Sequence, residues 1–168
     1  MYREGRRRDL EMQESLKFER SFVVEGGSFQ NAGNVSGQIK SVLKELGVPK
    51  DIVRRVAIIC YESEINIVSY AKKGTITLAV TDDAVKIETK DEGPGIPDID
   101  LAMKEGYSTA TAAVREMGFG AGMGLANMKK YSDHLIITSE VGVGTCVTMM
   151  VMNVQKLLHP DLPPVNLV

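Results

Sequence analysis

A two-layer α/β sandwich of the α+β class, with a sheet covered on one face by helices, is the fold predicted by this 168-residue sequence. Three observations predict it. Short β-rich runs at 17–25, 75–81, 85–89, 135–139 and 145–152 are interleaved with stretches of helical periodicity. Two of those runs meet across Asp82-Asp83, a hairpin signal. A long apolar face, Ile52, Val53, Val56, Ile59, Cys60 and Ser63, marks a largely buried helix reaching about Ala71. Strands and helices intermixed in this way form an antiparallel or mixed sheet packed against helices.

The elements follow in order. Phe18, Phe22, Val23 and Val24 mark a first strand, closed by Gly26-Gly27-Ser28. Val35, Ile39, Val42, Leu43 and Leu46 recur at three and four residues and predict a helix that Gly47 and Pro49 stop. The long helix and the hairpin come next. Residues 98–104 can form a short helix, whereas 105–117 is polar, rich in Ala and Thr and without an apolar stripe, which predicts a loop or lid. Leu125, Met128 and Tyr131 give a last helix face, and two strands around Gly142-Val143-Gly144 close the domain. Residues 1–17 read as a charged extension, 18–153 as the domain and 154–168, with three prolines, as an irregular tail.

Composition narrows the function classes. One globular domain with a proper core is expected at this length. A formal net charge of -2 argues against an electrostatic grip on nucleic acid, and Arg6-Arg7-Arg8 sits among acidic residues as a solvated mixed-charge arm. Cys60 and Cys146 lie in apolar runs without metal-type spacing, so both are expected to be small buried residues in a reducing, cytoplasmic setting. No stretch reaches the roughly 18 apolar residues of a membrane span, and the charged N-terminus has no signal-peptide core.

Three short stretches carry the chemistry. Glu62 and Asn66 are four apart, so on a helix they project from one face, one turn apart. There a carboxylate can take the proton of an attacking hydroxyl, and an amide oxygen can ligate Mg²⁺. Asp91-Glu92-Gly93-Pro94-Gly95 puts an acidic group at a strand end, able to accept from an amino group such as that of adenine, before glycines that permit a tight turn. Glycines at 118, 120, 122 and 124 precede a helix whose first N–H groups can bind phosphate. Taken singly, an exposed helix face, an ordinary Pro-Gly turn and a linker are the plain structural readings of these stretches. The glycine spacing is neither the dinucleotide fingerprint nor a P-loop, and the His-Arg-Asp and Asp-Phe-Gly signatures of eukaryotic-type kinases are absent.

In order, Glu-x-x-x-Asn, Asp-x-Gly-x-Gly, Gly-x-Gly-x-Gly and the late Gly142-Val143-Gly144-Thr145 resemble the N box and successive glycine boxes of the GHKL ATPase superfamily. Within it, the chain is similar to bacterial anti-sigma-factor serine/threonine kinases. The runs 66–71, 91–99 and 106–109 are similar in particular to the switch kinases of the stressosome branch, and the likeness covers about 18–152. The resemblance implies a Bergerat-type ATP-binding fold with a mixed sheet. It makes Glu62 the general base, Asn66 the Mg²⁺ ligand and Asp91 the adenine contact. Gly93 and Gly95 would shape the adenine side, Gly118, Gly120, Gly122, Met123, Gly124 and Leu125 would close over the phosphates, and Thr145 would lie near the adenine. Two departures stand out: Tyr70 replaces the His usual in the sigma-factor-binding branch, and 110–117 is longer than the matching stretch of the switch kinases.

The activity implied is ATP-dependent phosphorylation of a serine or threonine on a small antagonist protein. The partners implied are a STAS-type antagonist and a sigma factor or other switch partner, without direct nucleic-acid or membrane binding, and a homodimer stays open. Two rivals are an ATP-binding interaction module without turnover and a detached histidine-kinase-like catalytic domain. Lid residues Lys104 and Arg115 could reach a γ-phosphate, Tyr70 could pack under the site or fill the core, and His134 and His159 have no partner that suggests catalysis.

Overall fold

The computed structural model describes residues 16–153. The expectations for 1–15, with Arg6-Arg7-Arg8, and for the tail at 154–168, with His159, lie outside the described residues. The chain runs β1 (Phe18–Glu25), α1 (Asn34–Glu45), α2 (Lys50–Tyr70), β2 (Lys73–Val80), β3 (Ala84–Asp91), α3 (Ile99–Ala102), α4 (Ala112–Glu116), α5 (Gly124–Tyr131), β4 (His134–Glu140) and β5 (Gly144–Met152). A single 3-10 turn, Phe29–Asn31, lies between β1 and α1.

The sheet order is β1-β2-β3-β5-β4, and every pairing is antiparallel. This corrects the mixed sheet implied by the family resemblance. Between β1 and β2 the chain goes out along α1 and back along α2, so it re-enters the sheet at the end it left, with Lys73 opposite Glu25. The pair that would run parallel, β3 and β4, is split by β5, which folds back from β4 through a tight turn.

Local chemistry explains the element ends. α1 closes in a Schellman motif: Val48 N–H donates to Leu43 O at 3.0 Å, Gly47 N–H donates to Lys44 O at 3.0 Å, and Gly47 takes φ 70°. The β2–β3 turn is held by Thr81, whose hydroxyl oxygen accepts from Asp83 and Ala84 N–H. Asp98 caps α3 by accepting from Leu101 N–H, and Thr111 caps α4 by accepting from Val114 N–H. The segment expected to be a bare lid loop therefore contains one short helix, anchored by the buried Val114.

The helices cover one face of the sheet. Ile39 and Leu43 of α1, Val56 and Ile59 of α2, and Ile76, Leu78, Ile87 and Met149 of the strands are fully buried between the layers. Each such side chain contributes about 1.5–3 kcal/mol of burial. On the opposite face stand Ser21 hydrogen-bonded to Thr77, the Lys86–Glu88 and Lys90–Glu88 ion pairs, and the exposed Val23 and Ile136. Cys60 is buried as expected, and burial, aided by the Glu64 charge, pushes its thiol far up. Cys146 is only half-buried, contrary to expectation: it alternates with the inward Val147, so it points to the open face.

Among the described residues, one carboxylate sits inside this core beside a few buried hydroxyls. Glu64, 2% exposed, accepts from Val35 N–H at 3.1 Å and from Ser36 N–H at 2.9 Å. The N-cap residue of α1 is Gly33, which has no side chain to offer, so a carboxylate from α2 supplies the cap instead. Glu64→Ala leaves two buried donors unpaired and is expected to cost about 3 kcal/mol of stability. Glu64→Gln keeps one strong acceptor and should lose about half as much, both read from urea unfolding at pH 7.

Candidate active site

The residues singled out in the sequence converge on one cleft of about 490 Å³ between α2, the β3 end, the 94–124 connection and α5. That size suits a small-molecule or cofactor site. Glu62, Asn66, Asp91, Gly95, Gly118, Gly120, Gly122, Met123, Gly124, Leu125 and Thr145 all line it. Gly93 stands behind the wall, and Lys104 and Arg115 are not part of it.

At one end stands the pair on α2. Glu62 and Asn66 face the entrance of α5 together: a Cβ added at Gly124 would lie 3.3 Å from Asn66 Oδ1 and 3.5 Å from Glu62 Oε2. A glycine here lets the helix start approach both side chains. The N-cap of α5, Met123, makes no side-chain cap bond, and Met123, Gly124 and Leu125 line the cleft, so the helix start there is free to bind an anion. Asn127, at the end of the first turn of α5, donates from Nδ2 to Glu62 Oε1 at 2.6 Å.

At the other end Asp91 closes β3, half-buried. Its Oδ1 accepts from Thr145 N–H at 3.2 Å, and a Cβ at Gly93 would come within 2.8 Å of that oxygen. Burial raises the Asp91 carboxyl above its ordinary value, and the N–H groups of Thr145 and Gly93 pull it part of the way back. The turn after it is packed onto the β4–β5 turn. Gly142 N–H donates to Pro94 O at 2.8 Å, and Gly95, at φ 72°, is so close to Glu140 that a Cβ would fall 2.3 Å from its carbonyl oxygen. Ser139 joins the two turns, accepting from Ile96 N–H at 2.8 Å while its hydroxyl lies 2.8 Å from that of Thr145.

The cover is the 105–124 segment. Gly118, Gly120 and Gly122 all take positive φ, and Gly122 O accepts from Gly106 N–H at 2.9 Å. Phe119 stacks on Phe29 at a centroid distance of 5.4 Å, which ties the cover to the β1–α1 connection. Tyr70 does not fill the core: it is exposed, lines the cleft, and its hydroxyl lies 3.5 Å from that of Ser108 in the cover. Arg115 donates to Ser108 O and so belongs to the internal scaffold of the cover.

The donor set fits a nucleotide. The cleft pairs a desolvated carboxylate at one end with an uncapped helix start and an amide oxygen at the other, over an apolar floor that includes Ile65, Met128 and Val147. Ser69, near the end of α2, has a buried hydroxyl with no partner among the described residues, and it lines the cleft. No cluster of three or more His, Cys, Asp and Glu side chains capable of holding a metal occurs among the described residues. A single amide oxygen at Asn66 suits a hard cation that takes most of its ligands from phosphates and water.

Sequence reasoning missed Asn127, Ser69, Ser139 and the Phe29–Phe119 pair. Ser69 did carry a signal, lying three residues after Asn66 on the same helix face. Asn127, Ser139 and the phenylalanines gave none, because each acts across elements distant in sequence.

These features define a nucleotide-binding α+β domain. The family model described as histidine kinase-, DNA gyrase B- and HSP90-like ATPase matches residues 52–155, and the chain belongs to that family. ATP is thus the nucleotide that the family membership implies. Among individual proteins, the chain is 36% identical over 110 residues to the serine/threonine-protein kinase RsbT of Bacillus subtilis, covering 63% of this chain and 77% of the relative. It is 31% identical over 118 residues to an anti-sigma F factor of Caldanaerobacter subterraneus, covering 68% of this chain and 75% of the relative. A chain in the crystal structure of the SiaB-SiaC complex from Pseudomonas aeruginosa shares the fold, with a TM-score of 0.56 at 12% identity over 86% of this chain and 94% of that one. No described helix is long and apolar enough to cross a membrane.

The raised Asp91 carboxyl fixes a pH dependence. Its contribution to stability is fully present below the ordinary aspartate value and is lost as pH rises through the higher folded value. Asp91→Asn removes that loss while keeping an oxygen for Thr145 N–H. Its thermal midpoint without nucleotide should be at least that of the wild type at pH 7, with the difference vanishing on acidification. Fluorescent ATP titration of the same variant should show binding weakened about tenfold or more.

Proposed function

We propose that this chain is an ATP-dependent serine/threonine protein kinase that phosphorylates a small STAS-type antagonist protein in a bacterial anti-sigma or partner-switching pathway in the cytoplasm. The observation that carries the reading is the Glu62–Asn66 pair held against the α5 entrance inside the cleft. A binder without turnover needs the phosphate-facing helix start but has no use for a carboxylate beside it. The names of the similar kinase and anti-sigma factors support the same reading.

The chemistry assigns each residue one task. The serine or threonine oxygen of the partner forms a bond to the γ-phosphorus, and its proton passes to the Glu62 carboxylate. The bond from that phosphorus to the bridging oxygen breaks, and ADP leaves with the electron pair. Asn66 Oδ1 would hold Mg²⁺, which when bound supplies neutralisation of the phosphate charge. The first N–H groups of α5 orient the phosphates, and the glycines at 118, 120 and 122 let the cover fold over them and exclude water. Asp91 accepts from the adenine amino group, with Thr145 fixing its rotamer from behind. The sigma factor or other partner released by the modification would bind outside the cleft.

Incubation with γ-labelled ATP, Mg²⁺ and a lysate of the source bacterium, followed by identification of the labelled residue, tests the assignment. Label on a serine or threonine of a small partner is expected. Label on histidine would identify a histidine-kinase-like domain instead, and ATP binding without transfer to any protein would identify an interaction module. Glu62→Gln is expected to lower transfer at least a hundredfold while ATP affinity stays within about twofold.

A further inference from the structure

The structure assigns Asn127 a task of its own: we infer that it is the positioning residue that orients the Glu62 carboxylate for proton transfer. This rests on Glu62 acting as the base. The side-chain amide of Asn127 donates to Glu62 Oε1 at 2.6 Å, across the α2–α5 contact and over a separation of 65 residues. An ionised carboxylate only accepts, so the amide nitrogen, not its oxygen, must face it. The contact is charge-assisted, short and partly buried, which is the setting in which such a bond holds a rotamer firmly.

The orientation matters more than the contact. With Oε1 held by Asn127, the other oxygen, Oε2, is the one turned toward the α5 entrance, 3.5 Å from the position a Cβ on Gly124 would occupy. Asn66 Oδ1 lies 3.3 Å from the same point. Oε2 and the Asn66 oxygen therefore converge where the phosphate-binding N–H groups begin. A free Glu side chain on a helix samples several rotamers, and most of them would aim it into solvent.

Asn127 is also well placed to hold this geometry rigid. It lies in the first turn of α5, and its own N–H donates to Met123 O at 2.8 Å, so the backbone that carries it is locked. The helix behind it is anchored by the fully buried Met128 and, at its far end, by Arg55, which donates to Tyr131 O at 3.0 Å and pairs with Asp133 at 2.9 Å. One short helix thus presents N–H groups to the phosphates and fixes the base beside them.

The test uses the full chain with ATP and Mg²⁺, water as phosphoryl acceptor and enzyme in excess, so that single-turnover rates are read. Asn127→Ala is expected to slow transfer about tenfold while ATP affinity stays within about twofold. In a Glu62→Gln background the same change should cost nothing more, since Asn127 acts only through that carboxylate. An NMR readout is independent of turnover: the Asn127 side-chain amide protons should lie downfield in the wild type and move to solvent-like positions in Glu62→Ala. Additive losses in the double variant, ATP affinity that falls in step with the rate, or an amide signal indifferent to Glu62→Ala would each overturn the assignment of Asn127 alone. A wild-type rate in Glu62→Gln would overturn the base itself, and the role of Asn127 with it.

Discussion

The buried carboxylate of Glu64 holds the two main helices in register. It reaches from α2 to the uncapped start of α1 and accepts from two successive backbone N–H groups there. Burying a charge is costly unless it is fully hydrogen-bonded, and a helix start is costly to bury unless it is capped. Each problem is solved by the other. The consequence is rotational: with Glu64 turned toward α1, Glu62 and Asn66, two residues to either side, are carried around to the cleft. Two carboxylates two positions apart therefore serve opposite ends, one sealed in the core and one presented to a ligand.

The cleft joins a rigid end to an adaptable one. Around Asp91 the backbone of two turns is packed so closely that Gly95 and Gly144 have no room for a side chain. There the site keeps a carboxyl that burial raises above its ordinary value, a pattern expected where recognition, not stability, set the residue. At the phosphate-facing end the parts are side chains and a helix start, covered by a segment whose glycines need positive φ. That cover is tied to the rest of the domain by a phenylalanine stack and the Tyr70–Ser108 approach, while the Gly106–Gly122 backbone bond and the buried Val114 give it its own shape. Weak, discrete attachments of this kind are what allow a cover to open and close over a ligand.

Tyr70 and the 110–117 stretch, the two places where the sequence leads one to expect a difference from the resembled kinases, meet in that cover. Tyr70 directs its hydroxyl to Ser108, and the 110–117 stretch folds into the Thr111-capped helix α4, with Val114 buried and Arg115 bonded to Ser108 O. Ser108 is thus touched from both sides, by the end of α2 and by α4.

Much of this was legible in the sequence. Periodicity located all five strands and the three principal helices, because each buries one face and alternation or a 3.6-residue repeat records which. The motif order placed Glu62, Asn66, Asp91 and the glycines in one cleft, since each motif is local and its backbone requirement is written in residue type. Strand direction was not legible: whether β3 and β4 touch depends on where β5 inserts, a choice made by packing across the whole sheet. Nor were the pairings of Glu64 with α1, Asn127 with Glu62, Ser139 with Ile96 and Phe29 with Phe119. By itself the sequence determined which residues have the chemistry, through spacing along single elements. Only the tertiary structure decided how they are aimed, because a side chain is oriented by partners that lie far away along the chain and next to it in space.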